Sequence, residues 1–230
     1  MNSRKTYGTR RIKKELQEQG YTVSRRKIGK IMANYNLVSV YTVKSFKHGT
    51  TSNKADTPNI LNQEFTATRP MEKLTTDLTY VKVGRTWHYT CLILDLYNRE
   101  IVGWAVGPNK TADLVLQSIL SIPFDLRQVD IFHTDRGTEF VNRKLDDLLV
   151  KNSIQRSLSA PGTPYDNAVS ERTYRAYKTE FVNQHRFESL EQLALLTCDY
   201  VHWWNHKRKH TTLGYLSPIK YKEKVVMNAA

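Results

Sequence analysis

The hydrophobic pattern changes period partway along this chain, and that change restricts the fold more than any other feature. Leu74 to Val83, Trp87 to Leu96 and Glu100 to Val106 are rich in β-branched and aromatic residues, and Gly84-Arg85 separates the first two. Three such runs on short connections predict an antiparallel meander. Within Thr111 to Ile122, Leu114, Val115, Ser118 and Ile119 then recur at helical spacing, and Pro123 ends the pattern. Val129 to His133 reads as a short buried strand and Phe140 to Val150 as a helix with Leu145, Leu148 and Leu149 on one face. Ile154 to Leu158 is a further strand, and Asn167 to Val182 and Leu190 to Trp204 are long helices. The order β-β-β-α-β-α-β-α predicts an α/β domain on a mixed five-stranded sheet.

Charge divides the chain differently. Across 230 residues Lys and Arg number 35 and Asp and Glu 22, a net of +13. That excess points to a polyanionic partner, nucleic acid before a membrane surface. Residues 1–48 carry 12 basic and 2 acidic side chains, residues 49–171 carry 13 and 15, and residues 172–224 carry 10 and 5. A slightly acidic middle between two basic ends fits carboxylate chemistry flanked by segments that grip phosphates. The only cysteines, Cys91 and Cys198, exclude a disulfide framework and a cysteine zinc site, and fit a reducing cytoplasm. Apolar runs such as Cys91-Leu92-Ile93-Leu94 fall far short of the ~18 residues of a membrane span. Nothing behind Met1-Asn2-Ser3-Arg4-Lys5 reads as a signal peptide, so no membrane partner is expected.

Residues 1–40 read as a basic, helix-turn-helix-like module of two helices, incomplete because a third is missing. Ile12 and Leu16 mark the first helix, with Gly20 as its stop. Ser24 caps the second, which carries Ile28, Ile31, Met32 and Tyr35 on one face. Arg25, Arg26 and Lys27 fill its first turn, where cations oppose the helix dipole; this points to phosphate contact, the alternative being a basic helical hairpin that only packs on a partner domain. Residues 41–70 read as a linker, 71–186 as the α/β core, and 187–230 as a C-terminal helix and basic tail.

Three carboxylates stand out. Asp77 lies inside the first strand, where Asp is disfavoured. Asp135 ends the fourth strand, and Glu171 lies in the first turns of a helix, with 35 residues between them. Gathered at one sheet edge, three acids repel one another, and divalent cations remove the conflict. Two ions about 3.5–4 Å apart activate an attacking oxygen and stabilise a leaving one, the chemistry of phosphoryl transfer on a nucleic-acid backbone.

Four ordered motifs carry a family resemblance. Thr75-Thr76-Asp77-Leu78-Thr79-Tyr80 with Leu94-Asp95-Leu96-Tyr97-Asn98-Arg99-Glu100-Ile101-Val102-Gly103-Trp104 is the first, and His133-Thr134-Asp135-Arg136-Gly137-Thr138-Glu139-Phe140 the second. The third is Gly162-Thr163-Pro164-Tyr165-Asp166-Asn167-Ala168-Val169-Ser170-Glu171. The fourth runs from Trp204-Asn205-His206-Lys207-Arg208-Lys209-His210 to Pro218. Over residues 7–222 the chain resembles insertion-sequence transposases of the IS-three family, second-reading-frame proteins with a retroviral-integrase-like core. The resemblance implies an RNase H-like fold and an Asp77, Asp135, Glu171 triad holding two Mg²⁺ ions, with Mn²⁺ as substitute. It implies hydrolysis at transposon ends followed by 3′-hydroxyl strand transfer into target DNA. It also implies a homo-oligomer in the bacterial cytoplasm, associated with the nucleoid, and a first-reading-frame helix-turn-helix protein as partner or fusion. The alternatives are an RNase H-like nuclease without strand transfer and an inactive or domesticated DNA-binding protein.

Further residues compete for roles. Asp95 is a rival metal ligand, better read as a structural acid bonded to Arg99 or a turn. Lys178, two helical turns beyond Glu171, is a DNA contact near the scissile phosphate. Lys207, Arg208 and Lys209 read as phosphate contacts, and the His202, His206, His210 repeat as a weak metal stripe. His133 is either a support for Asp135 or a buried core histidine. Gly137 and Gly162 are expected to allow unusual backbone shapes, and Pro161-Gly162-Thr163-Pro164 to form a mobile loop.

Overall fold

The computed structural model describes residues 3–42 and 57–229. Two helices open it, α1 (Thr9–Glu18) and α2 (Arg25–Asn34). The Ser24 side chain accepts the Lys27 N–H at 3.1 Å, the expected cap. Of the expected apolar face of α2 only Ile28 is buried, and Ile31 and Tyr35 remain exposed.

The meander follows as β1 (Lys73–Val83), β2 (Thr86–Asp95) and β3 (Ile101–Gly107). Next come α3 (Ala112–Leu120), β4 (Ile131–Thr134), α4 (Arg143–Lys151), β5 (Gln155–Leu158), α5 (Ala168–Glu180) and α6 (Leu190–His206). The sheet order is β3-β2-β1-β4-β5, antiparallel through the meander and parallel from β1 to β5. This is the mixed five-stranded sheet the sequence predicts. The helix expected from Phe140 starts later because Asn142 caps it, accepting the Leu145 N–H at 3.0 Å.

Two apolar layers cover the sheet. One face packs Leu74, Cys91, Ile93 and Phe132 under α3 and α4. The other packs Val81, Val83, Leu92 and Leu94 under Tyr174, Tyr177 and Phe181, at α5 and its C-cap, and Tyr200, Trp203 and Trp204 of α6. A boundary at residue 186 therefore runs through one continuous core: α6 belongs to the sheet's second layer. A last helix, α7 (Pro218–Ala229), stands where a basic tail was expected. Proline at its first position needs no N–H partner there, and Ser217 precedes it as a cap does.

Residues 57–70, expected as linker, are strapped to the far edge of the sheet. Leu61 is buried, the N–H groups of Ile60 and Leu61 donate to Ser157 Oγ at 2.9 and 3.0 Å, and Leu158 N–H donates to the Pro58 carbonyl. Residues 43–56 of the expected linker lie outside the described residues. Among the described residues no helix is long and apolar enough to cross a membrane.

Candidate active site

The sheet makes Asp77 and Asp135 neighbours. β1 and β4 run parallel, with Lys73 opposite Ile131, Leu74 opposite Phe132 and Thr75 opposite His133. Two residues further along both segments, Asp77 comes beside Asp135 just past the end of β4. Loss of water together with the Asp135 charge pushes the Asp77 carboxyl up to about 8, against the pull of the Leu78 N–H, which donates to Oδ1 at 2.7 Å. Burial also raises Asp135, although Gly137 N–H donates to its Oδ1 at 2.9 Å. Adjacent carboxylates of this kind share a proton or take up a cation. The donor set is hard oxygen, which fits Mg²⁺ or Mn²⁺ rather than a softer ion.

A third carboxylate acts on this pair, and it is Glu139. Its side chain is 2% exposed, its Oε1 lies 2.8 Å from Lys110 Nζ, and no other donor reaches that oxygen among the described residues. Both Asp77 and Asp135 feel its charge. The glutamate reaches inward because its carboxylate folds over Gly137, where an added Cβ would stand 2.3 Å from Oε1 and 2.6 Å from Cδ. At Gly137 an added Cβ would have to displace the Glu139 carboxylate, and of the two motif glycines expected to allow unusual backbone shapes only Gly162 takes a positive φ, +74°.

Glu171 is exposed in the first turn of α5, and among the described residues no three Asp, Glu, His or Cys side chains converge to hold an ion. The helix that carries Glu171 is nevertheless bolted to β1. Thr75 Oγ1 donates to Asn167 Oδ1 at 2.8 Å and lies 2.8 Å from Ser170 Oγ, and the Tyr174 hydroxyl donates to the Asp77 carbonyl. Asn167 occupies the N-cap position of α5, and its side chain makes this contact rather than a capping hydrogen bond. Lys178 Nζ lies 3.9 Å from the centre of the Tyr80 ring, and burial lowers its pKa while the Asp77 charge raises it.

Two integrase core domain models match residues 67–164 and 152–218, and an HTH-like domain model matches residues 1–45. The chain is 31% identical to the IS600 31 kDa protein of Shigella sonnei, over all of this chain and 86% of that protein. It is also 31% identical to the transposase InsF of insertion sequence IS3A from Escherichia coli, over 96% of this chain and 78% of that one. The chain belongs to the IS3 family of insertion-sequence transposases. In fold, this transposase resembles a simian T-cell lymphotropic virus intasome chain, at TM-score 0.56 and 15% identity over 77% of this chain and 60% of that one. It likewise resembles the HTLV-2 integrase catalytic core, solved with magnesium, at TM-score 0.53 and 12% identity over 66% of this chain and 97% of that one. The sheet is thus the RNase H-like core of integrases.

The remaining expected site residues of the transposase divide into open and occupied groups. Arg25, Arg26, Lys27 and Lys207 are exposed. Arg208 and Lys209 are not the open cations expected. Arg208 is buried with its guanidinium on Glu180, whose carboxylate also accepts the Tyr200 hydroxyl at 3.0 Å and the Tyr41 hydroxyl. Lys209 Nζ lies 2.6 Å from Glu18 and 3.5 Å from Glu15 on α1. Together they clamp the N-terminal module to the core. Asp95 is structural: its oxygens accept the Met71 and Tyr97 N–H groups, both at 2.8 Å. His133 is buried between Ser157 Oγ at 2.9 Å and Ser159 Oγ at 3.1 Å, and burial lowers its pKa to about 4. His202 and His206 stack on each other, whereas His210 packs edge-on against Trp204, so the histidines form no common metal face. Sequence patterning does not single out Glu139 or Lys110. The one signal it offers is Glu139's place two residues after the motif glycine.

Proposed function

We propose that this transposase cuts a phosphodiester at the ends of its element with water, then joins the freed 3′-hydroxyl to a target phosphate in line. Asp77 and Asp135 would hold the divalent ion or ions, Mg²⁺ or Mn²⁺, with Glu171 of the first turn of α5 as the third acid of the triad. The ions supply Lewis-acid stabilisation of charge on the attacking and leaving oxygens. The chain's own part is positional. The parallel register sets the spacing of the two aspartates, and the Asn167, Ser170 and Tyr174 contacts keep α5 alongside β1. Lys178 and the exposed Arg25, Arg26, Lys27 and Lys207 contact DNA phosphates. No Ser or Tyr nucleophile is needed, so no covalent protein–DNA intermediate forms. Bringing two ends together calls for a homo-oligomer, with the first-reading-frame helix-turn-helix protein as partner or fusion, working in the bacterial cytoplasm.

The juxtaposition of Asp77 and Asp135 carries this reading. Purified protein, with and without the first-frame product, is incubated with end oligonucleotides and Mg²⁺ or Mn²⁺. Cleavage and strand-transfer products are expected, and Asp77→Asn, Asp135→Asn and Glu171→Gln are expected to abolish both. Cleavage that survives Asp135→Asn, or that needs no divalent metal, would overturn the assignment. Cleavage without joining would make the chain a nuclease.

A further inference from the structure

Lys110 sits directly before α3, where the positive end of the helix dipole disfavours a cation. It is held there by acids. Its Nζ lies 2.8 Å from Glu139 Oε1, and the charges of Glu139, Asp135 and Asp77 all act on it. The other acid near the start of α3, Asp113, is already paired with Lys144 at 2.7 Å. Glu139 is buried, with its carboxylate packed against Gly137. A buried anion therefore holds a half-exposed cation whose charge acts on the aspartate pair. The Lys110 side chain is 48% exposed, so its flexible stem can swing outward at little packing cost.

We propose that Lys110 is the resident counter-cation of the carboxylate site: Glu139 holds it there until a divalent ion enters, and its ammonium is then released to a DNA phosphate. The inference rests on the reading that Asp77 and Asp135 bind the ion. An ion of charge +2 placed between the aspartates repels the ammonium, and a phosphodiester lying across the site offers that ammonium a new partner. Metal binding and DNA binding are thereby coupled through one side chain.

The test titrates DNA-free protein with Mn²⁺, followed by electron paramagnetic resonance. Removing one positive charge next to a divalent ion makes Lys110→Gln bind Mn²⁺ roughly fivefold to tenfold more tightly than the unmodified protein. Lys110→Arg keeps the charge and leaves the affinity within about twofold, which separates charge from loss of packing. DNA affinity supplies a second reading. Lys110→Gln is expected to weaken binding of an end duplex in Ca²⁺ and to leave it unchanged in EDTA, where Lys110 is still tied to Glu139. Asp77→Asn is the control for the underlying site and should lose Mn²⁺ binding. If it does while Lys110→Gln binds Mn²⁺ no more tightly, the role of Lys110 is overturned and the site stands. If Asp77→Asn binds Mn²⁺ unchanged, both fall. Equal weakening of DNA binding in Ca²⁺ and EDTA would make Lys110 an ordinary phosphate ligand and overturn the coupling.

Discussion

The Tyr174 hydroxyl bridges two strands at Asp77: it donates to the Asp77 carbonyl and accepts the Leu92 N–H at 2.6 Å. Tyr174 lies three residues beyond Glu171, so this bridge ties the helix of one proposed catalytic acid to the strand of another. Tyr174→Phe leaves a buried donor and a buried acceptor without that partner, at a cost of about 1–3 kcal/mol. Urea denaturation checks it, and a change below about 0.5 kcal/mol would show that the bridge is dispensable.

Asp95 provides a pH signature. Burial, acting against the two N–H donors, pushes its carboxyl up to about 6 from an ordinary value near 3.8. The folded protein thus holds a proton that the unfolded chain has released, and stability falls as pH rises from about 4 to about 6. Asp95→Asn should flatten that part of the stability curve while leaving cleavage chemistry in place. An unchanged slope in the variant would show that Asp95 ionises normally in the fold.

Much of the fold could be read from the sequence because its signals are local. Runs rich in β-branched and aromatic residues mark β1 to β3, Ser24 marks the start of α2, and Asp77 betrays itself as an acid inside a strand. Arg208 and Lys209 could not be read this way. Counting charge treats each as open, yet their partners Glu180 and Glu18 lie 28 and 191 positions away in the chain. Glu139 was hidden for a similar reason, since a motif string does not say which side chain folds back over its glycine.

The fit of Glu139 over Gly137 invites a double-mutant cycle. Gly137→Ala places a methyl where the carboxylate lies, so Glu139 is expelled and its ion pair with Lys110 is broken, destabilising the fold by about 1–3 kcal/mol. Glu139→Ala removes the obstacle. The double variant should therefore be less destabilised than the sum of the singles by at least about 1 kcal/mol. Additive values from thermal unfolding would mean that the alanine is accommodated some other way.

The Glu180–Arg208 pair answers to pH in the opposite sense from Asp95. Burial alone would raise the Glu180 carboxyl, but the Arg208 charge and hydrogen bonds from Arg208, Tyr41 and Tyr200 hold it below its ordinary value near 4.5. Its contribution to stability is complete above that value and is lost as pH falls below it. Arg208→Ala strands a buried carboxylate and should cost about 3–5 kcal/mol near neutral pH. A denaturation midpoint close to that of the unmodified protein would show that the pair is not part of the clamp.

Open and clamped cations can be told apart by salt. Arg25, Arg26 and Lys27 are exposed together at the start of α2, each able to displace a counterion from a DNA phosphate. Replacing all three with alanine should leave the unfolding midpoint nearly unchanged, because none is buried. It should also reduce the slope of log affinity against log salt for an end duplex by roughly 2–3, at about 0.9 for each phosphate left unneutralised. Lys209→Ala behaves differently: its ammonium is already neutralised by Glu15 and Glu18, so it contributes little to that slope and instead loosens the N-terminal module. Fluorescence anisotropy across a salt series reads the slopes, and limited proteolysis reads the loosening. If the triple variant kept the full slope while Lys209→Ala reduced it, DNA binding would have to be reassigned from α2 to the loop after α6.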